Sequence, residues 1–591
     1  MKFLLKSLAI WLLSIAISYA EVVLDGSVGP KKSIDLKNDV FDIDAELGQQ
    51  HGGNLFHSFD SFDLKEGQTA NFTNLIPTDP INNIISRVTG GKSSQIDGTI
   101  SSKIDANFYL LNPNGIMFGK NARLDVQGSF YASTADYLKS KEGEIFYVNN
   151  SENLSFITES PHSFGFLDNN LASINVNGSK LEITGDNNLS IISGDLNIDN
   201  GNLLTTEGGD INIVSVASEG EINNSEYSNT ELGNIKITGD SMIAADTETN
   251  SNGGNVSIKA NDLIMEFDDT CGNPCPGISS DTRGGSGKGG NVNIELSGKL
   301  KIDGKGGIST ASSGKSTGNS GNIYLSVGKL SLQNKGYINS GSSTSGNSGN
   351  INVYAVDDIK LKNRASMVSF SFNKRGKSGK SGDIEIFTNN LELKNSSITS
   401  FSINMMSSDV NGGDININAY NNLYMKDSGI ITSAISLMSQ QLGNGGNINI
   451  SNPKFFIFGN SQILATAMKG KGGNINIIAD NFIHSYPYKE GGEFTFALPY
   501  ILKIVLNYNK FDEINFDISR INASSKFDSN LDGKITIDAF EKDFTGDLKP
   551  QSGEFQGLEI SLSRCGSFDD LGSFIITARD ISPPGPTALK Y

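Results

Sequence analysis

From about residue 200 onward the chain repeats one short pattern: Gly, then Asn or Asp, then apolar–x–apolar. It reads GGDINI at Gly208, GNIKI at Gly233, GGNVSI at Gly253, GGNVNI at Gly289, GNIYL at Gly321 and GNINV at Gly349. It continues as GDIEI at Gly382, GGDINI at Gly412, and GGNINI at both Gly445 and Gly472. The glycine next to the Asn or Asp runs from position 209 to 473 in nine steps of 21 to 36 residues, about 29 on average. Within each phrase the period is two, so Ile448 and Ile450 share one face while Asn447 and Asn449 share the other. β-Branched residues fill the apolar positions and no 3.6-residue period is sustained, which predicts strands rather than helices.

A second short strand is expected upstream of most phrases, as at residues 307–310 and 429–433. A third is expected downstream, as at residues 299–302 and 390–393. Three strands per repeat, separated by Gly, Ser and Asn turns, describe one coil of an all-β solenoid, the parallel β-helix. A lone coil cannot bury its inward Ile, Val and Leu; stacked coils about 4.8 Å apart bury them continuously. Outward Asn residues at equivalent positions are expected to form amide ladders. About 18 coils would fit residues 21–540, a rod of roughly 85 Å, with a cap at each end because an open coil is an aggregation edge.

The pattern changes at both ends. Residues 1–20 read as a signal peptide: Lys2 and Lys6, an apolar stretch at 8–17, and Ser18-Tyr19-Ala20 as a small-x-small cleavage site. The apolar stretch is short for a membrane span, which needs roughly 20 residues. Residues 21–175 are richer in Phe, residues 176–540 hold the repeats, and residues 541–591 form a short C-terminal cap or tail. An insertion near 481–520 interrupts the rhythm, with apolar residues 494–506 and Tyr486, Tyr488, Tyr500 and Tyr508 nearby. Its plain reading is a hairpin or helix packed on the rod, and its sharper one a contact for a partner or glycan.

Composition narrows the class. The 591 residues include 66 Gly but only 14 Pro and 3 Cys, with 32 Phe and 16 Tyr left to bury, which excludes collagen-like, disordered and disulfide-stapled chains. The net charge of −18 gives no overall reason to seek nucleic acid or anionic lipid. Removing the signal segment takes away the one Trp.

The N-terminal block carries a strong turn at Asn112-Pro113-Asn114-Gly115-Ile116 between two expected strands. Around it lie Gly53-Asn54-Leu55-Phe56-His57-Ser58-Phe59, Ile85-Ser86-Arg87-Val88-Thr89-Gly90-Gly91 and Ser94-Gln95-Ile96-Asp97-Gly98-Thr99-Ile100. Then come Phe118-Gly119, Asn121-Ala122, Leu124-Asp125 and Gly128-Ser129-Phe130. In this order, over about 100 residues, these motifs resemble the secretion domain of filamentous haemagglutinin-like exoproteins of two-partner secretion systems. The family's second hallmark, NPNL, is absent. The tail Ser573-Phe574-Ile575-Ile576-Thr577, followed by Pro583-Pro584, resembles cyanobacterial-style members.

The resemblance implies a right-handed β-helix whose N-terminal domain is recognised by a partner outer-membrane β-barrel transporter. It implies a chain that crosses that barrel unfolded and folds coil by coil outside a Gram-negative-type cell, secreted or at the surface. Asn54, Phe56, Phe59, Arg87, Gly90, Asn112, Pro113, Asn114, Gly115, Ile116, Phe118 and Gly119 would then form the recognition and nucleation segment. Their alternative role is to cap the β-helix.

Other motifs weaken on inspection. Cys271 and Cys275 sit in Cys-Gly-Asn-Pro-Cys, a candidate disulfide ring, which leaves Cys565 odd. No cofactor or metal is expected, because none of the four His has ligand spacing to the cysteines. Residues 528–533 copy the first half of an EF-hand loop, but Ala539 stands where a bidentate Glu is needed. Gly314-Lys315-Ser316-Thr317-Gly318 matches the serine-hydrolase pentapeptide without its strand-to-helix context.

Two functions compete. One is a secreted adhesin, partnered by the transporter and by a host or neighbouring-cell glycan or protein. The other is a β-helix polysaccharide lyase or hydrolase, which needs a placed carboxylate pair that no motif singles out. About 50 residues follow the last coil, too few for a self-transporting barrel.

Overall fold

The structure is a computed structural model. It describes residues 22–543 except 75–79, 150–154, 224–226, 229, 272–273, 374–377, 405–410, 437–442, 485–487, 491–518 and 527. The signal segment, the aromatic part of the insertion, Cys565 and the C-terminal tail lie outside the described residues.

Apolar alternation becomes a parallel β-helix. Fourteen parallel pairings link one strand per coil in a single column, from Asn54–Phe62 through Asn83–Val88, Asn107–Leu111 and Phe130–Ser133 to Ile535–Asp543. A second column follows each coil around, for example Leu263–Glu266, Lys299–Asp303 and Lys329–Gln333. A third runs from Lys180–Ile183 through Gly307–Ser309 to Ser519–Asn522. From residue 384 the first two strands of most coils fuse, as in Ile384–Lys394 and Ile415–Lys426. The inward Ile, Leu, Val and Phe of all three columns make one continuous core from Val22 to Ala523. Each fully buried aliphatic side chain contributes about 1.5–3 kcal/mol.

The repeat phrase has a structural reason at each position. Its glycine stacks on the glycine of the preceding coil so closely that a Cβ on Gly349 would stand 2.0 Å from the Gly321 carbonyl oxygen. A Cβ on Gly382 would stand 2.2 Å from that of Gly349. The Asn or Asp that follows uses Oδ1 to accept the backbone N–H of its counterpart one coil on. Asn291 thus accepts from Asn322, Asn322 from Asn350, Asn350 from Asp383, and Asp383 from Asp414, at 2.8–2.9 Å. Only a side-chain oxygen is needed, so Asn and Asp interchange. Amide ladders also form, with Asn449 donating to Asn416 at 2.8 Å and Asn363 to Asn334 at 3.0 Å.

Two expectations change. Gly233 does not join the glycine column; its strand Ile235–Thr238 pairs in the second column with Leu196–Asp199. The 264 residues from Gly209 to Gly473 therefore make eight coils of 33 residues, not nine of 29. Fifteen coils rather than 18 stack among the described residues, because long excursions leave the column. The phrase was misread at Gly233 because the second strand also begins with a close glycine. In the insertion, the chain leaves after Ile475–His484 and returns as Ser519–Asn522 on Gln462–Ala467, in the place of that coil's third strand.

The N-terminal edge is closed by antiparallel pairing of Val22–Asp25 with Asn54–Phe62, which removes an open strand edge.

Candidate functional site

Asn54–Phe62 and Asn83–Val88 are buried on both faces over most of their length. Leu55 and Phe59 point into the solenoid core. The outward residues are covered by an accessory antiparallel sheet of Tyr137–Ser140, Ile145–Tyr147, Pro161–Phe166 and Gly220–Asn223. Between sheet and solenoid lies a second core in which Phe56, Ile85, Tyr109 and Leu111 meet Phe146, Phe164 and Ile222. The last of these strands lies beyond residue 175, where the texture of the sequence changes.

A buried ionic cluster pins this sandwich together. The 29-residue register places Arg87 beside Ser58. Arg87 is 1% exposed. Its Nε donates to Ser58 Oγ at 2.8 Å, Nη2 to Ser27 Oγ at 2.8 Å and Nη1 to the Tyr147 carbonyl, while the guanidinium lies 4.9 Å from the Phe146 ring centre. Asp25 accepts from Ser58 Oγ at 2.6 Å, from Ser27 and from Thr89 Oγ1. Burial pushes the Asp25 carboxyl up, but the Ser58, Ser27 and Thr89 donors outweigh it and hold the group below its ordinary value. Burial lowers Arg87, and the charge of Asp25 opposes that shift.

Asn54 joins the same construction one step along the strand. Its Nδ2 donates to the carbonyls of Ile157 and Glu159, and its Oδ1 accepts from Asn83, whose own Oδ1 accepts from Asn107 at 3.0 Å. The ladder ties three coils to the segment that leads into Pro161–Phe166.

The NPNGI turn follows the third coil strand. Buried Asn112 donates through Nδ2 to the Lys92 carbonyl at 2.9 Å and to Ser94 Oγ at 3.0 Å, and its Oδ1 accepts the Asn114 amide. Gly115 has φ +104, a conformation that favours glycine, and a Cβ there would stand 3.0 Å from the Ser173 carbonyl oxygen. Ile116 and Phe118 then enter the core. Pro113 and Asn114 stay half-buried at the surface. A groove of about 510 Å³ opens beside the turn, lined by Ser93, Gln95, Asn114, Met117, Ala172 and Asn175 among others.

The residues singled out in sequence thus fall into two adjoining groups. Asn54, Phe56, Arg87 and Asn112 make inter-coil contacts, and Phe59 packs inside. Gly90 and Gly119 permit close passage: a Cβ on Gly90 would stand 1.9 Å from the Asp60 carbonyl oxygen, and one on Gly119 2.4 Å from Asp97 Oδ1. Ser58 and Thr89 lie within the motifs already marked in the sequence, whereas Asp25, Ser27, Asn83 and Phe146 were missed. The available signal was the 29-residue interval that relates Asn54 to Asn83 and Ser58 to Arg87.

Elsewhere, Cys271 and Cys275 are joined in a disulfide, with Cα atoms 5.1 Å apart. Asp528 caps the turn Ser529–Leu531, and Asp532 Oδ1 accepts the Ser525 amide, so this half-loop is a coil corner. Among the described residues no cluster of three His, Cys, Asp or Glu side chains is arranged to hold a metal.

Fold and site together define a class: a parallel β-helix whose first coils are capped, clad by an accessory sheet and locked by a buried Arg–Asp cluster. Residues 20–275 match the family model of the TPS secretion domain. The chain thus carries a TPS secretion domain, the domain of two-partner secretion exoproteins, in its N-terminal part. The crystal structure of the HMW1 secretion domain from Haemophilus influenzae aligns at 15% identity over 85% of this chain and 96% of that chain, with a TM-score of 0.36. No curated protein matches the sequence.

Proposed function

We propose that the exported chain is a surface-exposed or released adhesin, delivered by a partner outer-membrane β-barrel transporter that recognises the N-terminal domain. The observation that carries this reading is the secretion-domain match over residues 20–275, at the head of a column of coils that continues far beyond it. Export by a two-partner system calls for a chain able to pass a barrel unfolded and to fold progressively. Coils that contact mainly their neighbours suit that requirement, because each completed coil is the template for the next. The Arg87–Asp25 cluster and the NPNGI turn fit a nucleus that forms first and presents an edge for stacking. The long exterior of the coil stack fits a role in contact with a glycan or protein of a host or neighbouring cell.

Fractionation of cells with and without a candidate partner barrel tests delivery. The chain should accumulate in the medium or at the surface only when the barrel is present; equal accumulation without it overturns the reading. A chain ending at residue 275 should still be exported, since it contains the whole matched segment. Attachment is tested separately, by comparing adhesion of cells that export the full chain with cells that export the truncated one.

A further inference from the structure

The described part of the solenoid exposes nine large apolar side chains, and five of them gather on one face of four successive coils: Tyr324, Tyr354, Val356, Phe387 and Tyr420. Tyr354 and Phe387 are direct register partners, 55% and 39% exposed; Tyr420, 51% exposed, lies two residues beyond Asn418, the partner of Phe387, and Tyr324 is the partner of Asn352, so the ridge runs obliquely across the coils. Scattered exposed apolar residues need no explanation, but a contiguous ridge marks a contact surface.

The ridge continues into a cationic edge. Ile384–Lys394 and Ile415–Lys426 each run through two columns, past a register shift at Thr388/Asn390, so the ridge leads directly into the following strand segment. At its far end Lys362, Lys394 and Lys426 stand in register on three coils. Glu392 lies between the first two, at 3.1 and 2.6 Å, and Lys360 lies 3.7 Å from Asp358. Lys360, Lys362, Lys394 and Lys426 therefore stand beside Asp358, Glu392 and Asp427, with Glu385 exposed on the ridge strand itself, so the edge keeps a small excess of positive charge in a chain whose net charge is −18. Tyr424 sits among them, its ring centre 5.2 Å from Lys394 Nζ.

We infer that the outer face of strands Ile351–Ala355, Asp358–Lys362, Ile384–Lys394 and Ile415–Lys426 binds an anionic polysaccharide laid along the coil stack. Sugar rings stack on Tyr354, Phe387 and Tyr420, while carboxylate or sulfate groups meet Lys362, Lys394 and Lys426. Coils rise about 4.8 Å per step, close to the length of one sugar unit in an extended chain, so the charges of the ligand keep pace with the lysine column while its rings cross the oblique aromatic ridge. The opposite charges select a polyanion against the sign of the molecule as a whole.

The inference rests on the attachment reading above, and the two fail separately: a chain that never leaves the cell refutes export, whereas an exported chain with no polysaccharide affinity refutes only this site. Affinity electrophoresis of the full exported chain in gels containing polygalacturonate or neutral dextran tests it. Retention by polygalacturonate alone, weakened by salt, is expected. The variant Lys362→Gln/Lys394→Gln/Lys426→Gln should lose about tenfold in affinity. Tyr354→Ala/Phe387→Ala/Tyr420→Ala should lose a similar factor. Lys31→Gln/Lys32→Gln/Lys37→Gln, which removes the same charge from exposed cap positions, should bind as the parent does. Lysine acetylation footprinting of the unaltered chain gives an answer that does not depend on variants folding: polygalacturonate should protect Lys362, Lys394 and Lys426. The inference is overturned by no retention, by equal losses in both lysine variants, or by absence of protection. It is also overturned if vesicles of anionic lipid are bound as tightly as the polysaccharide, or if the aromatic variant alters only self-association.

Discussion

His57 is fully buried against Phe72 and Phe59, and neither ring nitrogen has a hydrogen-bond partner. Burial lowers its pKa to about 4, with the charge of Asp44 opposing the shift. The unfolded chain takes up a proton below about pH 6.5 while the folded one stays neutral down to about 4. Stability is therefore complete above pH 6.5 and falls through that window, by about 3 kcal/mol at most. Urea unfolding of the exported chain at pH 7 and pH 4.5 should show the loss, and His57→Leu should flatten it. Arg87 presents the reverse case, a charge that stays buried because Ser58, Ser27, Tyr147 and Asp25 surround it. Arg87→Met removes the hydrogen bonds to Ser58, Ser27 and the Tyr147 carbonyl and the positive charge near Asp25, and should cost about 3 kcal/mol in the same measurement. Arg87→Lys should recover little, since a single ammonium cannot reach the three separate acceptors that the guanidinium fork serves.

At the scale of the element, the repeated phrase is a backbone device before it is a hydrophobic one. The isoleucines of each phrase fill the core, but the glycine fixes how closely coils approach, and the Asn or Asp oxygen supplies an acceptor for the next coil's amide. Gly349→Val would drive its side chain into the Gly321 carbonyl. It should destabilise the neighbouring coils by about 2 kcal/mol, read as a lowered denaturant midpoint. The strand alternation, the phrase and the Asn ladders were legible in the sequence because their period is short and local. The fused strands from residue 384 and the position of Gly233 were not, since they depend on which column a strand joins.

For the molecule as a whole, near-neighbour stacking sets how damage spreads. A charge buried at Ile294, as in Ile294→Asp, should open the coils on either side without unfolding the N-terminal domain, because each coil depends on its immediate neighbours. Hydrogen exchange should show faster amides in Val256–Ala260, Val292–Leu296 and Ile323–Val327 and unchanged protection in Asn107–Leu111. Uniform acceleration along the chain would show that the column unfolds as one unit.

The sequence by itself determined the coil: a two-residue apolar period, a recurring glycine and an amide after it leave few ways to bury the Ile and Val except by stacking. It also marked the family through motifs spread over about 100 residues. Tertiary structure alone decided what those motifs touch. Arg87 finds Ser27 and Tyr147 across 60 residues of chain, and Phe56 finds Phe146, because the accessory sheet folds back over the first coils. Nor does any local pattern reveal that Tyr354 pairs with Phe387, with Tyr420 a short step along the next coil, beside a lysine column. Their alignment follows from coil lengths and register, and these are set by packing between coils that lie far apart in the chain.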